Sequence, residues 1–250
     1  MSGHSKWATI KHAKGAADAK RGKMFSRLAK EIMLAAKSGG DPNTNPSLRN
    51  LIAKAKGINM PKDNIDRAIK KGTGELQAEV LEEITYEGYA GTVGLVVQVL
   101  TDNKNRAAAE IRNIFKKNGS ELGQSGSVTR NFERKGQILL AKGSLDEDEV
   151  MMLALDAGAE DVNADEEGFE ILTAPSDFVK VCEALNAAGI ETTDAEVKLL
   201  PMATTPVTDI NQARAVNKFI AALEDNEDVQ NVYSTADFSD EVEAALEAEA

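Results

Sequence analysis

The sequence of 250 residues is poor in aromatic, cysteine and histidine side chains. Its single cysteine, Cys182, has no partner for a disulfide within the chain and cannot form a cysteine-rich zinc site. We expect a small buried thiol rather than a catalytic nucleophile. The two histidines, His4 and His12, lack the cysteine and acidic companions of a metal site, so we predict no metal and no other cofactor. Aromatic residues make up only 4% of the chain, so its cores must consist mainly of Ala, Val, Leu and Ile.

Long apolar stretches are also missing. None approaches the ~20 residues that a membrane-spanning helix needs, and the first residues lack the apolar core of a secretory signal. We therefore expect a cytoplasmic protein without a membrane partner. Residues 119–127 are the nearest match to a phosphate loop, but they lack its Gly-Lys-Ser/Thr ending and are expected to form a turn. No group of residues stands out for acid–base or nucleophilic chemistry, so we predict that the protein is not an enzyme.

Charge is distributed unevenly along the chain. Residues 1–75 contain 16 Lys and Arg against 6 Asp and Glu, whereas residues 76–140 contain 8 of each. Residues 141–250 contain 5 Lys and Arg against 27 Asp and Glu, and the whole chain has a net charge of −12. A basic segment in an acidic protein indicates a polyanionic partner, most simply nucleic acid. The alternative is that the acidic end binds the basic end of the same chain.

The candidate nucleic-acid ligands are mostly basic residues of the first third. Gly and Ala between the cations of residues 1–23 let this arm follow a phosphate backbone closely. Trp7 either stacks on an unpaired base or anchors the arm to an apolar surface. The candidate set is His4, Lys6, Trp7, Lys11, His12, Lys14, Lys20, Arg21, Lys23, Arg27, Arg49, Lys54, Lys56, Lys104 and Arg106. Lys62, Arg67, Lys70 and Lys71 extend the same positive surface.

The first third of the chain has the pattern of three amphipathic helices. Apolar residues recur every three or four positions over residues 16–37. Asn45 followed by proline predicts the start of a second helix, which Gly57 ends. A third helix is predicted from Pro61 to Gly72. Helices joined by such short loops form a small bundle, and the last two also resemble, weakly, a helix-turn-helix.

After a linker the pattern changes to alternating strands and helices. The predicted elements are strand 92–101, helix 104–118, strand 126–133, a βαββαβ set over 137–199, helix 210–223 and strand 229–233. The order βαββαβ is that of the ferredoxin-like split unit. The elements on either side of it are too few for domains of their own. We therefore predict that they form one discontinuous domain into which the ferredoxin-like unit is inserted.

The predicted fold class is α+β and multidomain. An N-terminal three-helix domain is followed by two α/β domains, the last ferredoxin-like and inserted into the middle one. The predicted boundaries are 1–76 for the basic helical domain with its arm, 77–135 plus 205–238 for the discontinuous domain, 136–204 for the acidic ferredoxin-like domain and 239–250 for an acidic tail. The tail has the composition of an acidic helix, and we expect it to be a solvated or frayed end.

Five specific motifs lie between residues 3 and 136. They read GHSKWATIKHAKGAADAKRGKMFSRLAKEI, SGGDPNTNPSLRNLIAKAKGINMPKDNIDRAIKKGTGE, YEGYAG, DNKNRAAAEIRNIF and GSVTRNFERKG. In this order they resemble the YebC/PmpR family. Many members of that family read YEGYGPGG where this chain reads YEGYAGTVG, so a contact made by that loop is expected to differ here.

The resemblance implies three domains and a DNA-binding transcriptional regulator of the bacterial cytoplasm. Mitochondrial relatives act as translational activators, and bacterial ones have been linked to ribosome function. The family's basic N-terminal residues correspond here to His4, Lys6, Lys11, His12, Lys14, Lys20, Arg21 and Lys23.

Three functions therefore stay open. The first is transcriptional regulation through DNA, which the resemblance favours although the sequence has no sharp recognition helix and no dimerising heptad. The second is translation control through RNA or the ribosome, and the third is protein interaction through the acidic C-terminal third. The sequence predicts no particular oligomeric state.

Overall fold

A computed structural model describes residues 18–248. They form two compact units, each described below by itself. The bundle unit comprises residues 18–128 and Arg214–Ser234, and the ferredoxin-like unit comprises Thr129–Ala213 and residues 235–248. The helices are α1 Asp18–Ala36, α2 Pro46–Gly57, α3 Lys62–Thr73, α4 Lys104–Lys117, α5 Glu147–Ala157, α6 Phe178–Ala187, α7 Ile210–Glu224 and α8 Asp240–Glu247. The strands are β1 Glu82–Ala90, β2 Val93–Thr101, β3 Phe132–Ala141, β4 Ala159–Ala164, β5 Gly168–Thr173, β6 Asp194–Pro201, β7 Thr205–Val207, β8 Val229–Ser234 and β9 Ala236–Phe238.

The fold is α+β, as predicted, and begins with the three predicted helices. They bury a shared core that includes Leu28, Ile32 and Leu48. Asn45 caps α2, because its side-chain oxygen accepts a hydrogen bond from the Leu48 amide at 3.1 Å. Its Nδ2 also donates to the carbonyl oxygens of Ala35 and Gly39, at 2.9 and 2.8 Å. One side chain therefore starts α2 and fastens it to the end of α1.

Gly72 does not end α3, contrary to the prediction. The helix continues to Thr73, and Gly74, with φ 82°, caps it. A Cβ on Gly72 would lie 2.3 Å from the carbonyl oxygen of Met33 and 2.6 Å from the Cβ of Ala36. The glycine is required because α1 and α3 approach closely at this point, and only a residue without a side chain fits there.

The bundle unit also contains an antiparallel sheet in the order β1-β2-β8. Strand β1 was not predicted; it forms a hairpin with β2 around Gly91 and Thr92. Gly91 has φ 63°, the sign that the first central residue of a type II′ turn needs. Helix α4 buries Ala107, Ile111 and Phe115. The Phe115 ring meets that of Phe219 in α7 edge to face, with centroids 4.8 Å apart.

The prediction of a strand over residues 126–133 is wrong for residues 126–131. Residues 125–128 are turns, Thr129–Asn131 form a 3₁₀ helix and β3 begins only at Phe132. The turn is held by Glu87, which is only 4% exposed. Its carboxylate accepts hydrogen bonds from the Gly126 and Val128 amides, both at 2.7 Å. These amides bind a side chain and are therefore not available for a sheet.

The ferredoxin-like unit has the predicted βαββαβ order. Its antiparallel sheet runs β4-β5-β3-β6, and α5 and α6 pack on it around Ile138, Phe169 and Leu185. Cys182 packs against this core but is half-buried rather than fully buried as expected, and burial raises the pKa of its thiol to about 11. The short parallel pair of β7 and β9 was not predicted.

The C-terminal segment is not the solvated or frayed end that its composition predicts. Residues 240–247 form α8, in which Val242 is 4% and Glu243 8% exposed. This helix therefore contributes buried side chains to its unit. The exact domain boundaries that were predicted from the sequence stay a prediction.

Candidate nucleic-acid interface

Three cations, Lys23, Arg27 and Lys30, follow one face of α1 at spacings of four and three residues. Lys23 Nζ lies 2.8 Å from the carbonyl oxygen and 3.1 Å from a carboxylate oxygen of Asp225, and Arg27 donates to the carbonyl oxygen of Glu224. Helix α7 ends at Glu224 and has no basic residue in its own last turn. The carbonyl end of a helix carries partial negative charge. Lys23 and Arg27 therefore stabilise the end of α7 from a distant part of the chain.

The third cation of this face binds a buried carboxylate, Asp228. Its Oδ1 accepts from Lys30 Nζ at 2.8 Å, and its Oδ2 accepts from Arg106 at 2.8 Å and from the Thr101 hydroxyl at 2.9 Å. The side chain is 4% exposed. Burial alone would raise the pKa of Asp228, but the hydrogen bonds from Lys30, Arg106 and Thr101 outweigh it and lower the pKa below its ordinary value. Asp228 is therefore an ionised centre that joins α1 to α4.

Arg106 makes a second ion pair, with Asp102 at 2.7 Å. The hydrogen bond to Asp228 is the largest cause that raises the pKa of Arg106. Lys104, two residues earlier, pairs with Glu82 of β1. The candidate ligands Lys23, Arg27, Lys104 and Arg106 thus interact with other groups of the chain, as Arg49 and Lys54 also do. The binding of these residues to nucleic acid stays a prediction.

The outer faces of α2 and α3 are basic and exposed. Their apolar residues, such as Leu48, Ala55, Ile65 and Ala68, face the bundle core, so the polar positions between them face outward. The exposed cations there are Arg49, Lys54 and Lys56 on α2 and Lys62, Arg67 and Lys70 on α3. Two exposed carboxylates, Asp63 and Asp66, also lie on α3, whereas α2 carries none.

The candidates of the arm cannot be placed. His4, Lys6, Trp7, Lys11, His12 and Lys14 lie outside the described residues, as do the side chains of Lys20 and Arg21. Their roles stay predictions.

The described residues contain neither a cluster of three or more His, Cys, Asp or Glu suited to a metal ion nor a helix long and apolar enough to cross a membrane.

Two family models cover most of the chain. One, described as the TACO1/YebC protein N-terminal domain, matches residues 5–75. The other, the TACO1/YebC second and third domain, matches residues 81–236. The chain belongs to the TACO1/YebC family. The boundary between the two family models falls between α3 and β1, after the three helices and before the first sheet.

Similar proteins agree with this membership. A protein of Desulfatibacillum aliphaticivorans is 55% identical over 243 residues, which are 96% of this chain and 98% of the relative. One of Treponema pallidum is 54% identical over 244 residues, 97% of this chain and 99% of the relative. Both are named probable transcriptional regulatory proteins. The crystal structure of a conserved hypothetical protein from Aquifex aeolicus superposes with a TM-score of 0.80 at 43% identity, over 91% of this chain and 94% of that one. The resemblance read from the motifs is confirmed.

Proposed function

We propose that this protein regulates transcription by binding DNA through its basic N-terminal third. The observation that carries the proposal is the set of exposed cations on the outer faces of α2 and α3. Cations that neutralise backbone phosphates release counterions, and this gives an affinity that does not depend on the base sequence of the nucleic acid. The names of the relatives support a regulatory role and favour DNA over RNA. Arg49 and Lys54, predicted from the sequence, belong to this surface.

The charge of the remaining chain limits the contact to this region. Residues 141–250 are strongly acidic, so a polyanion is repelled by most of the ferredoxin-like unit. Within α1, the cations Lys23, Arg27 and Lys30 already bind backbone and carboxylate oxygens of residues 224–228. We therefore assign the phosphate contacts to the outer faces of α2 and α3, where Lys56, Lys62 and Lys70 are exposed.

The salt dependence of binding tests the proposal. The variant Lys56→Ala, Lys62→Ala, Lys70→Ala removes three exposed cations. Each lost phosphate contact reduces the slope of log affinity against log salt by about 1, so we expect the slope to fall by about 3. Fluorescence anisotropy with a labelled DNA duplex measures it.

A control variant separates local contact from net charge. Lys116→Ala, Lys117→Ala, Lys180→Ala removes the same charge from exposed positions on α4 and α6 and should leave the slope near that of the wild type. Equal slopes for the two triple variants would refute the proposed surface. Binding to RNA of the same sequence but not to DNA would refute the transcriptional role while leaving the phosphate contact in place.

A further inference from the structure

A groove of about 350 Å³ lies between α1 and α3. Its floor is apolar: Phe25 is half-buried, while Met33, Met60 and Ala68 are 4–5% exposed. Its rim is polar and consists of Ser26, Lys30, Asn64, Arg67, Lys71 and Glu79. Three cations and one carboxylate give this rim a net positive charge.

The floor of the groove is held in place by the helices that form it. Met33 belongs to the segment of α1 whose backbone touches Gly72 of α3, so the helices cannot close further. Met60 follows a tight turn in which Asn59 has φ 59°. The Met60 amide donates to the Ala55 carbonyl oxygen at 2.9 Å. The apolar floor is therefore already formed, and a ligand has little ordering cost to overcome there.

The polar side chains of α3 lie on one edge of the groove. Asn64, Arg67 and Lys71 are spaced by three and four residues and so share one helix face. Lys71 pairs with Glu79 at 3.3 Å, and Lys30, on the opposite helix, is held by Asp228. Arg67 is exposed on this edge. Its planar guanidinium suits a phosphate, which it can bind with two hydrogen bonds.

An apolar floor with one aromatic ring, an amide and cations at the rim matches the parts of one nucleotide. We propose that the groove binds a single unpaired nucleotide of a nucleic-acid strand, with the base against Phe25 and Met60, Asn64 at the base edge and Arg67 at the phosphate. The proposal rests on the proposed nucleic-acid binding and adds a preference for unpaired bases. A base stacked inside a duplex cannot reach such a floor unless it is extruded.

The decisive variant fills the groove without changing charge. Ser26 is exposed on α1 and lines the groove, so Ser26→Leu places an apolar side chain where the base would lie. Ser47→Leu makes the same change at an exposed position of α2 and is the control. The probes are an oligodeoxythymidylate of on the order of 15 nucleotides, the same strand with its bases removed, and a duplex of equal length.

Loss of one base–aromatic contact corresponds to roughly a 5- to 150-fold weaker affinity. We expect this loss for Ser26→Leu with the intact single strand and no change with the duplex or with the base-free strand. Ser47→Leu should bind all three probes as the wild type does. Arg67→Gln, a second variant at the groove, should weaken single-strand binding more than duplex binding.

The outcomes separate this proposal from the proposed function. If the wild type binds strands and duplex but Ser26→Leu, with unchanged circular dichroism, binds the intact single strand equally well, the nucleotide groove is refuted and phosphate binding stands. If the wild type binds the base-free strand as tightly as the intact strand, or more tightly, the nucleotide groove is also refuted. If the wild type binds none of the probes, the proposed function itself fails.

Discussion

Replacing Asp228 by alanine removes a buried carboxylate that accepts hydrogen bonds from three side chains of the bundle unit. The change leaves Lys30, whose side chain is 22% exposed, without its carboxylate. Arg106, 44% exposed, keeps its pair with Asp102. Removing one partner of a buried ion pair costs about 3–5 kcal/mol. Because Arg106 is partly solvated and still paired, we expect the lower end, about 3 kcal/mol, which lowers the melting temperature by roughly 6–12 °C for a chain of this size.

The effect of Asp228→Ala should also depend on pH. The pKa of Asp228 in the folded protein lies below its ordinary value, so the unfolded state binds the proton more readily. The stabilisation is therefore fully present above the ordinary carboxyl pKa of about 3.9. It is lost as the pH falls through the lower folded pKa. The difference in unfolding free energy between wild type and variant should be constant from neutral pH down to about pH 5 and shrink below about pH 4.

Urea unfolding followed by circular dichroism measures both effects. The matched control is Asp225→Ala, because Asp225 is 66% exposed and pairs with Lys23 at 3.1 Å. An exposed pair contributes at most about 1 kcal/mol. If Asp228→Ala costs no more than Asp225→Ala at neutral pH, or if its cost does not change below pH 4, the reasoning about the buried carboxylate is wrong.

Two further predictions concern packing. Gly72→Ala should destabilise the protein by about 1–3 kcal/mol in the same urea assay, because the new Cβ meets the Met33 carbonyl oxygen. Gly22→Ala in α1, where the new Cβ meets nothing within 4 Å, should instead stabilise the protein by up to about 1 kcal/mol. If both variants stabilised the protein, helix propensity alone would explain them and the close approach at Gly72 would be refuted. Cys182, with a pKa of about 11, should react with iodoacetamide at neutral pH on the order of 100-fold more slowly than in the urea-unfolded chain. Equal rates would contradict its burial.

The elements that the sequence predicted well are those whose signals are local. Asn45 lies beside the backbone amide that it caps, and Asn103 accepts from the Arg106 amide at the start of α4. The role of Gly72 was predicted wrongly because the backbone that requires a glycine there, at Met33, lies on another helix. Strand β1 was missed because it contains three glutamates. One of them, Glu87, is buried and accepts hydrogen bonds from the amides of a distant turn.

The candidate site was predicted less completely for the same reason. A run of cations marks a basic segment, but Lys23 and Arg27 find their acceptors 202 and 197 residues further along the chain. No spacing within the first third shows that α7 ends beside them. The groove could not be predicted from the sequence because Phe25 and Asn64 lie on different helices, and only the packing of α1 on α3 brings them together.

The central position of β2 has a consequence for how the protein is made. Val97 pairs with Tyr86 in the preceding strand but also with Val232, near the end of the chain. At ~5–20 residues per second, the second edge of β2 stays unpaired on the ribosome for on the order of ten seconds. Nearly every residue of this strand is buried in the finished fold, and an open apolar edge is a site of wrong pairing between chains. A chain cut short before Val229 keeps that edge open for its lifetime, so such fragments are expected to aggregate even though every residue of the basic bundle is present.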